Sequence, residues 1–165
     1  MMNKLTMTTK PLILKNLDQV INQLHELSDA TENEAHRGWS ISEHLAHCQQ
    51  VIEFSMNGYP TQNPWLLQNS LGKTVYHLFR LRGYMQHDIN AYTPGAGPAP
   101  QMTLNDSILQ LTQTIKKFDA WTHPLKPHYF YGRLSKSQYN LIHSIHFANH
   151  WDTIVMQKKM RASAK

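Results

Sequence analysis

Eleven of the 165 residues are histidine, a ring that serves as acid, base or metal ligand near neutral pH. They are unevenly spread. Towards the C-terminus His143, His146 and His150 recur at intervals of three and four, which at about 100° per residue places them in one stripe of a helix. Ile142, Ile145 and Met156 border the stripe on one side, and Phe147, Trp151 and Ile154 on the other. A stripe with apolar borders is expected to face a core. Buried polar groups without partners cost roughly 1–3 kcal/mol each, and one divalent metal ion can satisfy several imidazoles at once. His146 and His150, at i and i+4, lie one turn apart and can share an ion. His143 with His146 is a second possibility, whereas His143 and His150 are two turns apart. A further ligand can come from an earlier segment, where His44 and His47 precede Val51 and Phe54. Three histidines would leave coordination positions open, the arrangement of a catalytic rather than a structural metal. The competing reading makes each ring a core histidine bonded to a carbonyl or hydroxyl.

Helices must position these rings, and five segments carry helical periodicity. The first is expected from about Pro11, in its first turn, to Leu27, with Leu14, Leu17, Val20, Ile21, Leu24 and Leu27 on one face. The polar stretch from Asp29 to Gly38 breaks the pattern. Ser40 and Glu43 form a capping box that starts the second helix, with Trp39 as the outer half of a staple. This helix should run to about Asn57 and stop at Gly58 and Pro60. Pro64-Trp65 opens a third, carrying Leu66, Leu67, Leu71, Val75, Leu78, Phe79 and Leu81 and weakened by Gly72. From Gly83 to Gln101 a connector holds Pro94, Gly95, Gly97, Pro98 and Pro100, so no regular element is expected there. The fourth helix should span about Thr103 to Trp121. Ser135 with Gln138 is a second capping box, and it opens a last helix from about Lys136 to Lys159. No segment shows strand alternation. The fold class is therefore all-α, a four-helix bundle with an additional helix or long connector, in one domain over 1–165.

Composition narrows the function. Sixteen basic against eleven acidic residues give a net charge of +5, but the cations are scattered. The one cluster, Lys158-Lys159-Met160-Arg161, suits a solvated helix end. Nucleic acid is not an expected partner, since such a face needs a basic stripe interleaved with aromatics. No apolar run approaches the roughly 18 residues of a membrane span. The N-terminal apolar patch, Pro11-Leu12-Ile13-Leu14, is too short for a secretory core. With a single cysteine, Cys48, a cytoplasmic protein without a disulfide framework is expected.

The histidine-bearing segments resemble a known family. Trp39-Ser40-Ile41-Ser42-Glu43-His44-Leu45-Ala46-His47 resembles the second-helix motif of the DinB/YfiT-like superfamily, in which the residue matching His47 is a metal ligand. Gly132-Arg133-Leu134-Ser135, leading into His146-Phe147-Ala148-Asn149-His150, resembles that superfamily's final helix with two ligands at i and i+4. The Gly-Arg-Leu-Ser approach is most similar to a branch known only as a domain of unknown function. The resemblance implies an up-down-down-up four-helix bundle and a metal site of His47, His146 and His150. It also implies metal-dependent transfer or isomerisation involving low-molecular-weight thiols, with a divalent ion (zinc, nickel or iron) as cofactor. His143 is then the first candidate for a general base, and a small-molecule substrate and a homodimer are expected. The alternatives are a metal-dependent hydrolase, or a helical binding module with structural histidines.

Other signals carry less. Gly72-Lys73-Thr74 resembles the end of a phosphate loop, but Leu67 stands where its first glycine belongs. Cys48, beside His47, reads as a small buried thiol before it reads as a nucleophile. The aromatic-rich run from Trp121 to Tyr131 is either a loop packing over the bundle's end, the reading preferred from sequence, or a wall over the site.

Overall fold

The computed structural model describes residues 10–27, 39–86, 93–97 and 102–162, with side chains followed as far as residue 154. Among the described residues there is no strand, only two isolated bridges. The helices are α1, Leu17–Leu24; α2, Ile41–Asn57; α3, which runs on from Trp65–Leu67 through a π-helical turn, Gln68–Gly72, into Lys73–Arg82; α4, Leu104–Asp119; and α5, Lys136–Ala162. An all-α chain is what the periodicity predicts. Helix α2 packs against both α4 and α5, α1 packs against the same two helices, and α3 lies on α5. Among the described residues no helix is long and apolar enough to cross a membrane.

Both predicted capping boxes form. At α2 the Glu43 amide donates to Ser40 Oγ (3.3 Å), and the Ser40 amide donates to Glu43 Oε2 (2.6 Å). At α5 the Ser135 amide donates to Gln138 Oε1 (2.8 Å), and the Gln138 amide donates to Ser135 Oγ (3.2 Å). These bonds satisfy amides that a helix start leaves without partners. They fix where each histidine-bearing helix begins, and thereby the rotation at which its rings emerge.

Helix α1 corrects the expected start at Pro11. Asn16 caps it by accepting from the Gln19 amide (3.0 Å), while the Leu17 amide donates to Asn140 Oδ1 on α5 (2.8 Å). Residues 11–15 are therefore not helical, although Leu14 is still buried. Asn16 is a local cap signal that the reading from Pro11 passed over, and the bond to Asn140, 123 positions away, reinforces the boundary from α5. At the other end, the amides of Glu26 and Leu27 bond three residues back and close α1 in a tight turn. Of the connector predicted from Gly83 to Gln101, the described parts hold only a turn bridged between Thr93 and Ala96; Pro98 and Pro100 lie outside the described residues, as do the stretch from Asp29 to Gly38 and the side chains of Met156 and Lys158 to Arg161.

Helix α3 buries Gln68, Gly72 and Tyr76 and half-buries Val75 and Phe79, but its leucines Leu66, Leu71, Leu78 and Leu81 are exposed. The π turn ends at Gly72, where the loop before α5 comes close. A Cβ on Gly72 would stand 2.0 Å from the Phe130 carbonyl oxygen, so only glycine lets the loop before α5 come this close. That loop is anchored elsewhere too. The Lys126 amide donates to Ser55 O on α2 (2.8 Å), the Asn63 amide to Tyr129 O (3.1 Å), and Gln68 Nε2 also to Tyr129 O (3.1 Å). Tyr139 Oη of α5 donates to Lys126 O (2.8 Å).

Gly72→Ala should therefore be expensive, because the obstacle is backbone and not a side chain that can swing away. A loss of at least about 2 kcal/mol in urea unfolding is expected; stability equal to that of the parent protein would show that the close approach of helix and loop is not required.

Candidate metal centre

The last helix places its histidines as the stripe predicts. Ile142, Ile145, Phe147, Trp151 and Ile154 are buried, and His143 and His150 are buried among them, with His146 half-buried. From α2, His44 and His47 are both buried. The packing of α2 on α5 brings one nitrogen from each of His47, His146 and His150 to within 4.8 Å of one another. His146 and His150 supply the i, i+4 pair. His143 takes no part in the cluster: its ring stacks on Tyr139 (5.2 Å, 20° between planes) and meets Phe118 edge-on (5.8 Å).

The distances can be set against what an ion requires. His146 Nε2 and His150 Nε2 are 3.2 Å apart, and two nitrogens about 2.0–2.1 Å from a tetrahedral zinc are about 3.3 Å apart. That edge of the site is already at coordination spacing; the others, within 4.8 Å, would have to close by up to about 1.5 Å around such an ion. Without an ion, the same two nitrogens are close enough to share a proton.

His44, open as an alternative ligand in the sequence, has a different place. Its Nδ1 lies 2.9 Å from Nδ1 of His150. Burial pulls the His44 pKa down to about 4, against a partial upward pull from the Glu43 carboxylate, so its ring is neutral at neutral pH. A hydrogen bond between two Nδ1 atoms requires one ring to donate and the other to accept. With His150 donating, its proton sits on Nδ1 and its Nε2 is bare, the tautomer a metal needs. His44 then carries its own proton on Nε2, an atom that is buried with no hydrogen-bond partner. Ligating histidines are commonly oriented in this way by a second group on the far nitrogen. The i, i+3 interval between His44 and His47 was the available signal for this role, though the intervals alone did not separate ligand from support.

Trp39 closes the outer side. Its ring lies parallel to that of His150 (6.2 Å, 8°) and tilted over His44 (5.6 Å) and His47 (5.0 Å). The predicted staple thus forms, with His44 as its inner half four residues beyond the cap. Three imidazoles at convergent spacing, one of them within hydrogen-bonding distance of a supporting ring on its far nitrogen, fit a divalent ion. Cys48, next to His47, is buried, and burial pushes its thiol pKa far up, as expected of a packing thiol.

A cavity of about 260 Å³ adjoins the cluster, and His146 is part of its wall. Helices contribute Val51, Val75, Phe79 and Ile142; the loop before α5 contributes His128 and Tyr129 to Tyr131. The last four residues of the aromatic run, His128 to Tyr131, thus form part of this cavity's wall, while Trp121 and His123 do not line it. Sequence could not decide this, because the contacts that hold the loop come from Ser55, Asn63 and Gln68.

Comparison with known proteins adds one finding. A family model described as a protein of unknown function (DUF1569) matches residues 7–157, nearly the whole chain. No curated protein and no solved structure matches it.

The His44–His150 bond predicts a measurable asymmetry among the histidines. His44→Phe should keep all three ligands and the capacity for one ion while weakening zinc affinity by about 10–100-fold in a competition titration against a chromophoric chelator. Unchanged affinity would mean that His44 does not orient His150.

Proposed function

This chain belongs to the DUF1569 family, and we propose that it is a metalloenzyme acting on a small molecule at a divalent ion held by His47, His146 and His150. The observation that carries the reading is the convergence of three histidine nitrogens, one from α2 and two from α5, within 4.8 Å. An ion bound by three imidazoles keeps positions open for exogenous ligands and acts on them as a Lewis acid, lowering the pKa of a ligand and polarising it. Zinc, nickel and iron all suit imidazole ligands.

The surrounding residues divide the remaining work. His44 holds His150 in its ligating tautomer, and Trp39 shields the outer face of the cluster. Substrate enters the cavity on the His146 side, where aromatic and aliphatic walls exclude water from the reacting group. The DinB/YfiT-like resemblance of the two histidine-bearing segments favours a thiol-dependent transferase, with a low-molecular-weight thiol as one substrate, and an up-down-down-up path for the bundle. His143 lines the same cavity, but burial lowers its pKa to about 3. Such a ring stays neutral and accepts a proton weakly, so hydrogen bonding to substrate suits it better than the general-base role the sequence suggests.

Elemental analysis of protein purified without a nickel column tests the reading. A single divalent ion per chain is expected, lost in His146→Ala together with part of the thermal stability that ligand binding confers. A metal-free protein whose melting temperature is the same in that variant would contradict it. Turnover in a screen of glutathione-like thiols with electrophiles should disappear in His146→Ala and persist in Cys48→Ala. Loss of turnover in Cys48→Ala would move the chemistry from the ion to the protein's own thiol; a stoichiometric ion with no thiol-dependent turnover would favour hydrolysis.

A further inference from the structure

The cavity beside His146 is walled without any charged side chain among its described lining residues. Its polar groups are imidazoles, phenols and one threonine. Away from the histidine cluster, a charged group would lose its hydration there with no charged lining side chain to replace it. The volume, about 260 Å³, is slightly below the roughly 300–1,000 Å³ of sites for drug-sized ligands. It suits a molecule built on a single ring, and Tyr129, Phe130 and Tyr131 offer the faces and edges that such a ring packs against.

One polar group in this wall is fixed to an unusual degree. His128 Nδ1 accepts hydrogen bonds from two successive backbone amides, Phe130 (3.1 Å) and Tyr131 (3.2 Å). Only a bare nitrogen can accept, so the proton of the neutral ring is on Nε2. The ring is clamped between Tyr131 (4.3 Å, 26°) and Tyr129 (4.8 Å, 30°). Its backbone is pinned by reciprocal bonds with Gly132 (2.9 and 3.0 Å), a glycine whose φ of +68° suits no side chain well. Burial, with His143 and Lys73 nearby, lowers its pKa well below the ordinary value. Neither amide bond engages Nε2. A second observation marks the cavity as a polar binding site: His143, 3% exposed and also in the wall, has a buried Nε2 with no hydrogen-bond partner. Unsatisfied buried polar atoms are rare and call for a cause.

We propose that His128 donates its Nε2 proton to a carbonyl or ether oxygen of an uncharged, single-ring ligand seated in this cavity, which makes His128 the group that selects the substrate's polar end. His128 is a binding residue and not a metal ligand. The inference rests on the cavity being the substrate chamber proposed above, and it names the class of molecule that enters.

Calorimetric titration of the zinc-loaded full chain with acetophenone, and with ethylbenzene as its counterpart of similar shape without the oxygen, tests the proposal. Acetophenone should bind about five-fold more tightly, the usual range for one neutral hydrogen bond. In His128→Asn the amide oxygen can replace Nδ1 as acceptor for the Phe130 and Tyr131 amides, while the outer N–H is lost. That variant should bind both probes alike and keep its zinc. Equal binding by the parent protein, saturable binding of neither probe, or a preference that survives in His128→Asn would overturn the proposal. If His128→Asn does not fold, nitrogen-15 spectra of the parent protein decide: acetophenone, unlike ethylbenzene, must shift the His128 Nε2–H signal. A preference for acetophenone in protein that binds no zinc would leave this inference standing and sink the metal centre; zinc retained without the preference would do the reverse.

Discussion

Polar rings in an apolar core need partners, and this requirement organises the interior between α2 and α5. His44, His47 and His150 are all buried, with His146 at the cavity edge. Each imidazole removed from water gives up hydration that packing against Ile145 or Phe147 cannot return. Part of the compensation is visible in the protein itself, as the Nδ1–Nδ1 bond of His44 with His150 and the close approach of His150 to His146. A divalent ion at the three convergent nitrogens could complete it. The same low polarity that makes the rings costly keeps His44 neutral, and only neutral imidazole can ligate or accept. Burial and metal affinity therefore reinforce one another.

The rest of the fold serves this arrangement at a distance. The capping boxes fix the first residues of the two histidine-bearing helices, so the rings of α2 and α5 meet in one register. The π turn in α3 and Gly72 let the loop before α5 close against the bundle, and the Lys126–Ser55 bond ties that loop to α2. Together they convert a helix interface into a cavity with His146 in its wall. The metal cluster and the cavity thus share a boundary but have separate origins: helix register sets the first, loop anchoring the second.

Much of this was legible in the residues, and the remainder has identifiable reasons. Local signals that act within one turn were read correctly: the stripe of His146 and His150, the boxes of Ser40–Glu43 and Ser135–Gln138, and the stop of α2 at Gly58. Features decided by distant residues were not. The bond of the Leu17 amide to Asn140 adds a distant partner to the local Asn16 cap of α1, and His128 to Tyr131 become a wall where Ser55, Asn63 and Gln68 hold their loop. His44 and His47 could not be ranked by spacing, since both face inward; only the position of α5 brings one to His146 and His150 and sets the other against the far nitrogen of His150. The leucines of α3 show the converse error. Of the face read as packed, Val75 and Phe79 do meet the core beside Tyr76, whereas Leu66, Leu71, Leu78 and Leu81 are exposed.

X-ray absorption at the zinc edge of the zinc-loaded chain tests the three-histidine centre most directly. Three imidazole nitrogens at about 2.0–2.1 Å are predicted, with the outer-shell scattering characteristic of the ring. A first shell made mainly of oxygen, or one with a single imidazole, would contradict the account and leave the three rings as packing residues.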